Sequence, residues 1–204
     1  MSRTIEALNA TTGANRSDRA NEILAHAARL FFERGYNSVG MRSIGSAAGV
    51  RGASLYHHFR SKEEMLYRIV LEVTQDYIDD HLPLLDDTRN HAGCLSRLIH
   101  RHINYFWEHR YGMSVGLREM HNLTNEHFAD VQVHRLRYQR RIQEFIAAGV
   151  RSGEFGCGDP DLVGIAILDM VNGVNDWFDP SGRLDIDQVA TRYENLVLKM
   201  IGAA

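Results

Sequence analysis

Apolar residues recur at helical spacing along most of the chain, and no stretch alternates between apolar and polar residues as a half-buried strand would. In the first predicted helix, Ile23, Ala27 and Phe31 follow one another at steps of four. Ser17 is suited to cap the start of this helix and Gly35 to end it, because glycine adopts positive φ angles without strain. The pattern predicts an all-α fold with about nine helices.

Capping and breaking residues set the bounds of the other predicted helices. Ser61 is followed three residues later by Glu64, which is the pattern of a capping box, and Asp159 followed by proline is a start signal. Pro83 and the turn-forming sequence at 179–182 end helices. The predicted helices span residues 17–34, 41–48, 52–58, 61–82, 92–109, 114–121, 124–152, 160–178 and 185–202.

The composition is that of a globular protein, with 44% hydrophobic and 24% charged residues. No apolar run approaches the roughly 20 residues that span a bilayer, so no membrane partner is predicted. Residues 1–16 lack the apolar stretch of a signal peptide and are expected to form a polar, disordered tail. Because Cys94 and Cys157 lie far apart and form no metal-ligand pair, we expect a reduced, cytoplasmic protein.

The charge of the chain is unevenly distributed. The net charge is −3, which by itself argues against binding to nucleic acid. Residues 1–70 nevertheless carry ten Lys and Arg against six Asp and Glu, a balance of +4, whereas residues 71–204 carry thirteen against twenty, a balance of −7. A basic end and an acidic remainder indicate that the N-terminal part alone contacts a polyanion.

The segment 41–59 combines two short predicted helices with a tight turn. Inward apolar positions such as Ile44 and Leu55 supply the contacts between them. Gly45 is small enough to let the two helices approach closely, and Gly49 supplies the positive φ angle of the turn. The sequence therefore predicts a helix-turn-helix.

The second of these helices has a short polar face, formed by Arg51, Ser54, Tyr56, His57 and His58. Base edges in the major groove are read by hydrogen bonds and methyl contacts, so this face is typical of a helix that enters the groove. The alternative is an ordinary solvated face. The concentration of basic side chains on the motif favours DNA.

Residues 17–77 resemble the DNA-binding domain of the TetR/AcrR family of regulators. The resemblance rests on Ala28-Arg-Leu-Phe31, Gly35-Tyr36, Ile44, Ala47-Ala-Gly-Val50, Leu55-Tyr-His-His-Phe59 and Ser61-Lys-Glu-Glu-Met-Leu66. It implies a DNA-binding domain at 17–77, with its motif at 40–59, and a ligand-binding and dimerisation domain at 78–204. The implied function is a ligand-responsive repressor that binds double-stranded operator DNA as a homodimer.

The same resemblance implies roles for individual residues. Those that open the recognition helix and face bases are Arg51, Gly52, Ala53 and Ser54. The other DNA contacts are Arg42 at the start of the second helix, and Tyr56, His57 and Lys62 against phosphates. Gly40 stands where the family usually has a threonine that caps the second helix and bonds a phosphate, and Ser38 is the expected substitute.

Large, semi-polar side chains are unusually dense between Ile99 and Trp177. For any one of them a place in the core is the simpler interpretation, but as a set they favour the cavity between helices that the family resemblance implies. The residues expected to bind ligand there are Tyr105, Phe106, His109, Met120, His121, Tyr138, Met170 and Trp177.

Residues 135–202 resemble, through fewer features, a subgroup of TetR-like regulators that respond to acyl-CoA thioesters in lipid and sterol breakdown. The features are the aromatic pair Trp177 and Phe178, a Pro-Gly turn, and Leu184 before the last helix. The implied effector is a large amphipathic acyl-CoA thioester, and the alternative is a hydrophobic drug bound by a multidrug-type sensor. The cations available for a phosphorylated head group are Arg118, Arg135, Arg137, Arg140 and Arg141.

Eight of the eleven histidines fall between His81 and His134, which raises the question of a metal site. His127, Asp130 and His134 share one helix face at steps of three and four, but a metal would need a further ligand. Exposed polar helix surface is the favoured interpretation, with the metal left as an open alternative. No cofactor is predicted.

Two other classes of protein fit the sequence less well. An enzyme is not favoured, because no Gly-rich phosphate loop, nucleophile elbow or cysteine–histidine pairing in a suitable context occurs. A helical ligand-binding protein without DNA activity would have no use for Arg42, Arg51 and Lys62.

The last two predicted helices carry apolar stripes, which include Ile167 and Val174 in one helix and Val189 and Leu196 in the other. Such a helix pair from each subunit, meeting about a two-fold axis, forms a four-helix interface. A homodimer also fits DNA binding, because one short recognition helix reads only a few base pairs of a palindromic operator.

Overall fold

The computed structural model describes the backbone of residues 3–87 and 89–203 and the side chains from residue 19 onward within those ranges. In this part of the chain, nine helices have at least seven residues, one further helix has a single turn, and there is no strand. The α-helices are α1 (Arg3–Arg34), α2 (Met41–Ala47), α3 (Gly52–His58), α4 (Lys62–His81), α5 (His91–Glu108), α6 (Arg110–Arg118), α7 (Asn125–Ser152), α8 (Pro160–Asn172), α9 (Val174–Trp177) and α10 (Ile186–Met200). The prediction of an all-α fold is confirmed. None of the described helices is both long and apolar enough to cross a membrane.

The start of α1 differs from the prediction. The sequence predicted a disordered tail at residues 1–16 and a helix from Ser17, whereas the backbone is helical from Arg3. The segment before Ser17 contains no proline, so nothing in it interrupts the helical hydrogen-bond ladder. Residues 1 and 2 and the side chains of residues 1–18 lie outside the described part of the chain.

Two helices in the C-terminal half are also divided differently from the prediction. α5 ends at His109, whose backbone has φ −106° and ψ 23°, and α6 begins directly afterwards. The segment predicted as 114–121 is therefore the end of α6 followed by a 3₁₀ turn at Met120–Asn122. The predicted helix 160–178 is divided at Gly173 into α8 and the single turn of α9.

The side-chain caps predicted at Ser61 and Asp159 are present, whereas Ser17, the third predicted cap, lies inside α1. The Ser61 hydroxyl accepts from the Glu64 N–H at 3.0 Å, and Asp159 accepts from the Leu162 N–H at 3.1 Å. Such a cap typically contributes about 1 kcal/mol. The predicted capping box is therefore only half formed. Its second bond is missing, because the Glu64 carboxylate accepts from the Arg60 N–H and not from the Ser61 N–H.

Two hydrophobic clusters form the core. One holds α1 to α4 together around side chains such as Phe31 and Ile44, and the other joins α4, α5, α7, α8 and α10 around Leu95. α4 belongs to both, because Val70 lies in the first cluster and Tyr77 in the second. The proposed domain boundary at 77/78 lies inside this shared helix.

α6 connects the two halves, since it packs against α1 and α4. A Cβ at Gly112 would lie 3.3 Å from Cγ2 of Val73, so α6 approaches α4 closely there. Just beyond α6, the Glu119 carboxylate accepts from the Tyr36 N–H at 3.2 Å. A displacement of α6 would therefore directly change the packing of the N-terminal helices.

Candidate functional site

The turn between α2 and α3 is fixed by two glycines. Gly49 has a φ of 65°, and the Val50 N–H donates to the Gly45 carbonyl at 2.8 Å. A Cβ at Gly45 would lie 3.1 Å from the Val50 carbonyl oxygen, so a larger residue would push the helices apart. Ile44 and Leu55 are fully buried between them. The helix-turn-helix predicted from the sequence is present with this geometry.

The outer face of α3 is open to solvent. Its exposed residues are the predicted DNA contacts Arg51, Gly52, Ala53, Ser54, Tyr56 and His57. Tyr56 is 57% exposed, although a tyrosine of a globular protein usually buries more of its ring. Phe59, three residues before the first residue of α4, is fully buried.

Gly40 precedes α2 as its N-cap residue, and the Ser43 side chain bonds the Gly40 backbone. The Ser43 hydroxyl donates to the Gly40 carbonyl at 2.7 Å and accepts from the Gly40 N–H at 3.2 Å. The expectation that Ser38 replaces the missing threonine as a cap is therefore wrong, because Ser38 lies in the preceding 3₁₀ turn and a serine one turn inside α2 already bonds the Gly40 backbone. Arg42, beside this cap, is exposed.

Lys62 lies at the first position of α4, next to the same surface. Its ammonium group donates to the Tyr36 carbonyl at 2.8 Å and lies 4.0 Å from the centroid of the Tyr36 ring. An ammonium carries three N–H donors, and Tyr36 uses one of them. The charge is thus held in position at the edge of the α3 face.

A second feature is a partly open cavity of about 320 Å³ that is lined by α4, α5, α6, α7 and α8, which we call the inner cavity. Its volume lies at the lower end of the range for small-molecule sites. Its lining comprises Thr74, Tyr77, Ile78, His102, Phe106, Met113, Leu117, Gln132, Arg135, Leu136, Tyr138, Gln139, Ile165, Leu168, Asp169 and Asn172.

A buried polar chain crosses the wall of the inner cavity. The Tyr77 hydroxyl lies 2.5 Å from Nδ1 of His102 and 2.9 Å from the Tyr138 hydroxyl, and Nε2 of His102 lies 3.1 Å from Oδ1 of Asn172. Burial holds the pKa of His102 well below its usual value and the pKa of Tyr77 well above its own. Both groups are therefore neutral, and the neutral imidazole has one N–H donor and one acceptor nitrogen to share between the Tyr77 hydroxyl and Asn172.

Arg135 brings a cation to the same wall. Its guanidinium donates to the Gly116 carbonyl of α6 at 2.8 Å. Burial lowers the pKa of this guanidinium to about 10, which still leaves it charged at neutral pH. No described carboxylate lies within salt-bridge distance of it.

An open groove of about 940 Å³ adjoins the inner cavity, and three arginines of α7 line it. We call it the arginine groove after Arg137, Arg140 and Arg141. The inner cavity and the arginine groove share Ile78, Leu136 and Tyr138 in their walls. The cavity and the groove are therefore neighbours.

Two of the eight predicted ligand residues, Phe106 and Tyr138, line the inner cavity. Tyr105 and His109 stack on each other at 4.1 Å and line a separate groove between α1, α4 and α6. The other four lie elsewhere: Met120 in the N-terminal core, His121 exposed beside Asn122, Met170 against the C-terminal core, and Trp177 exposed and stacked on Tyr193.

On the polar side of the cavity, Arg135 was predicted only as a cation for a phosphorylated head group, and Gln132 and Gln139 were not predicted. Gln132, Arg135 and Gln139 recur on α7 at steps of three and four, which places them on one helix face. That spacing was visible in the sequence.

The residues considered for a metal connect the two halves of the chain. The His127 ring nitrogen lies 2.8 Å from Oε1 of Glu63, and the ring stacks on Tyr67 at 3.8 Å. The Tyr67 hydroxyl donates to Asp130 at 2.6 Å, while His134 lines the arginine groove. Across the side chains that the structure describes, no group of three or more His, Cys, Asp or Glu is arranged to hold a metal ion.

Comparison with known protein families gives matches in both halves. Residues 23–69 match the family described as bacterial regulatory proteins, tetR family, and residues 90–201 match the tetracyclin repressor-like C-terminal domain. The HTH-type transcriptional repressor KstR2 of Mycolicibacterium smegmatis is 31% identical over 194 residues, covering 92% of this chain and 92% of its own. KstR2 of Rhodococcus jostii is 28% identical over 187 residues, covering 91% and 92%.

Solved structures resemble the whole chain as well. The TetR family regulator PfmR of Thermus thermophilus has a TM-score of 0.81 at 32% identity and covers 87% of this chain and 97% of its own. AibR in complex with isovaleryl coenzyme A and operator DNA has a TM-score of 0.81 at 27% identity and covers 91% and 100%.

Proposed function

We infer that this chain, which belongs to the TetR family of bacterial transcriptional regulators, is released from its operator by an acyl-CoA thioester. It is a DNA-binding regulator and not an enzyme, and the KstR2 relatives that it matches along most of its length are transcriptional repressors. The identity of the effector is a proposal. The residues that bind the effector and those that bind the DNA are also proposed.

One observation carries the proposal: the inner cavity adjoins the arginine groove through a shared wall. An acyl chain needs an apolar slot, in which each buried CH₂ contributes about 0.8 kcal/mol. The phosphates of coenzyme A need cations, and a guanidinium binds phosphate through two parallel hydrogen bonds. The acyl group then lies in the cavity and the head group along Arg137, Arg140 and Arg141.

The likeness to AibR supports this class of effector, since AibR has been crystallised with a CoA thioester and operator DNA. It does not specify the acyl group, because 27% identity does not determine which side chains line the inner cavity.

On the DNA side, we propose that α3 of each subunit enters the major groove of a palindromic operator. Arg51 to Ser54 face the bases, while Arg42, Tyr56, His57 and Lys62 bind the backbone. The subunits pair through α8 and α10, where Leu162 and Leu196 are 63% and 51% exposed. Large apolar side chains this exposed are typical of an interface.

α6 offers a route from effector to DNA. It contributes Met113 and Leu117 to the inner cavity and packs on α1 and α4. An effector that binds more tightly to a conformation with altered α6 shifts the population towards it, and the two recognition helices then no longer match adjacent grooves.

The test is a mobility-shift titration on a duplex selected from random sequences by the protein itself. Acyl-CoAs of increasing chain length are compared with free CoA, free fatty acids and hydrophobic drugs. The triple variant Arg137→Gln, Arg140→Gln, Arg141→Gln is expected to need at least about tenfold more thioester for release. Arg151→Gln, at the exposed end of the same helix, is the matched control. Release by drugs and by no thioester would refute the proposal and indicate a multidrug-type sensor.

A further inference from the structure

We propose that Arg135 binds a carboxylate at the far end of the acyl chain, so that the effector is a CoA monothioester of a dicarboxylic acid. This inference rests on the proposed function, because the arginine groove is taken to bind the CoA head group. It adds the chemical class of the acyl group, which neither the fold nor the comparisons specify.

The first argument is that the Arg135 guanidinium has no anionic partner among the described residues. Arg135 lines the inner cavity, it is half-buried, and its one hydrogen bond is to the neutral carbonyl of Gly116. A guanidinium has five N–H donors, and a cation removed from water is stabilised chiefly by an anion. A carboxylate of the ligand supplies that anion, and it accepts two parallel hydrogen bonds from the guanidinium.

The second argument comes from the neighbours of Arg135 on α7. Gln132 and Gln139 also line the cavity, and neither has a hydrogen-bond partner within the described side chains. Nine of the sixteen lining residues are polar. A plain alkyl chain would leave these amides and the guanidinium without partners on removal of water, which is costly.

The opposite wall contributes less to recognition. Tyr77, His102 and Asn172 already bond one another, so their polar atoms are largely satisfied without a ligand. Asp169 is the other charged residue of the lining, but it is exposed, and water screens its charge. The desolvated charge inside the cavity is therefore positive, which disfavours a cationic drug.

The experiment compares pairs of thioesters of equal chain length that differ only in the terminal group. Succinyl- and butanoyl-CoA, adipyl- and hexanoyl-CoA, and suberyl- and octanoyl-CoA are titrated by calorimetry against the full chain and by release from the selected operator. In at least one pair, the dicarboxylic thioester is expected to bind about tenfold to a hundredfold more tightly, as for a hydrogen-bonded charge pair.

Variants identify the residue responsible. Arg135→Gln and Arg135→Met are expected to reduce the preference for the dicarboxylic thioester to less than about twofold. Arg135→Lys should keep part of this preference, since lysine retains the charge but not the paired N–H donors of the planar guanidinium. Asp169→Asn is the matched control, and it should keep or increase the preference. Thermal unfolding checks that each variant folds, and the comparison of paired thioesters on the unaltered chain needs no variant.

The outcomes separate this inference from the proposed function. If alkyl thioesters bind as tightly as dicarboxylic ones in every pair, or if the preference survives in Arg135→Gln, the inference is overturned while the thioester proposal stands. If no thioester binds, the proposed function fails, and adipate and hexanoate are then titrated directly. Binding of adipate that depends on Arg135 supports the inference in that case, and its absence overturns it.

Discussion

The ammonium group of Lys62 lies 2.8 Å from the backbone oxygen of Tyr36 and 4.0 Å from the centroid of its ring. These two contacts hold a long, flexible side chain in one place at the start of α4, beside the exposed face of α3. A cation ordered before binding loses less conformational entropy when it meets a phosphate. In the proposed function, where Lys62 binds a phosphate, this contact links the packing of the N-terminal domain to its affinity for DNA.

We expect Lys62→Ala to weaken binding to all duplex sequences alike, because a phosphate contact carries no sequence information. The slope of log K against log salt should fall by about one unit, the value for one phosphate contact. Filter binding over a salt series measures both. Lys199, the only other lysine, lies at the far end of α10, and Lys199→Ala should leave the slope unchanged. A change in sequence preference at constant slope would show that the role assigned to Lys62 is wrong.

Ser43→Ala tests the cap of α2. Loss of the reciprocal bonds with Gly40 should lower the free energy of unfolding by about 1 kcal/mol, measured by urea denaturation. Ser46, exposed on the same short helix, provides the control, and Ser46→Ala should be nearly neutral. Equal effects of the two substitutions would mean that the Ser43 hydroxyl does not cap α2.

The fold and the helix-turn-helix could be predicted because their determinants are local. The positive φ of Gly49 and the start of α8 at Asp159 follow from residue type and spacing alone. The cavity depends on which helices pack together, so size and polarity gave only Phe106 and Tyr138 correctly as lining residues. Trp177 was misleading, because a large aromatic residue suits a pocket, yet here it lies 52% exposed.

The proposed dimer makes a further prediction about α8 and α10. Leu162→Glu and Leu196→Glu introduce charges into the expected interface, where an unpaired charge is unfavourable, and should shift the protein towards monomers. Sedimentation equilibrium at micromolar concentration measures this, and the wild-type interface should bury more than about 1,000 Å². Ala25→Glu, exposed on α1, is the control and should leave the dimer intact. A wild-type chain that sediments as a monomer would contradict the assignment.

The pH dependence of stability provides a prediction for His81, which is fully buried on α4. Burial is the largest cause that lowers its pKa from 6.5 to about 4, and its Nε2 has no hydrogen-bond partner. Between about pH 6.5 and pH 4, the His81 ring is therefore protonated in the unfolded chain but neutral in the folded chain. The free energy of unfolding should fall as the pH drops from about 6.5 to about 4, and the contribution of His81 should be constant above this range.

His81→Phe removes the titrating group and keeps an aromatic ring against Tyr77, 4.0 Å away in the wild type. At pH 7.5 the variant should be within about 1 kcal/mol of the wild type, since the substitution removes the 2.8 Å bond between Nδ1 and the Tyr77 carbonyl but also replaces the unpaired Nε2 by carbon. At pH 4.5 it should be more stable than the wild type by about 2–3 kcal/mol, which follows from the difference between the two pKa values. Urea denaturation at fixed protein concentration measures both, with His26→Gln, exposed on α1, as the control. Parallel pH profiles for His81→Phe and the wild type would mean that His81 is protonated in the folded protein as readily as in the unfolded chain.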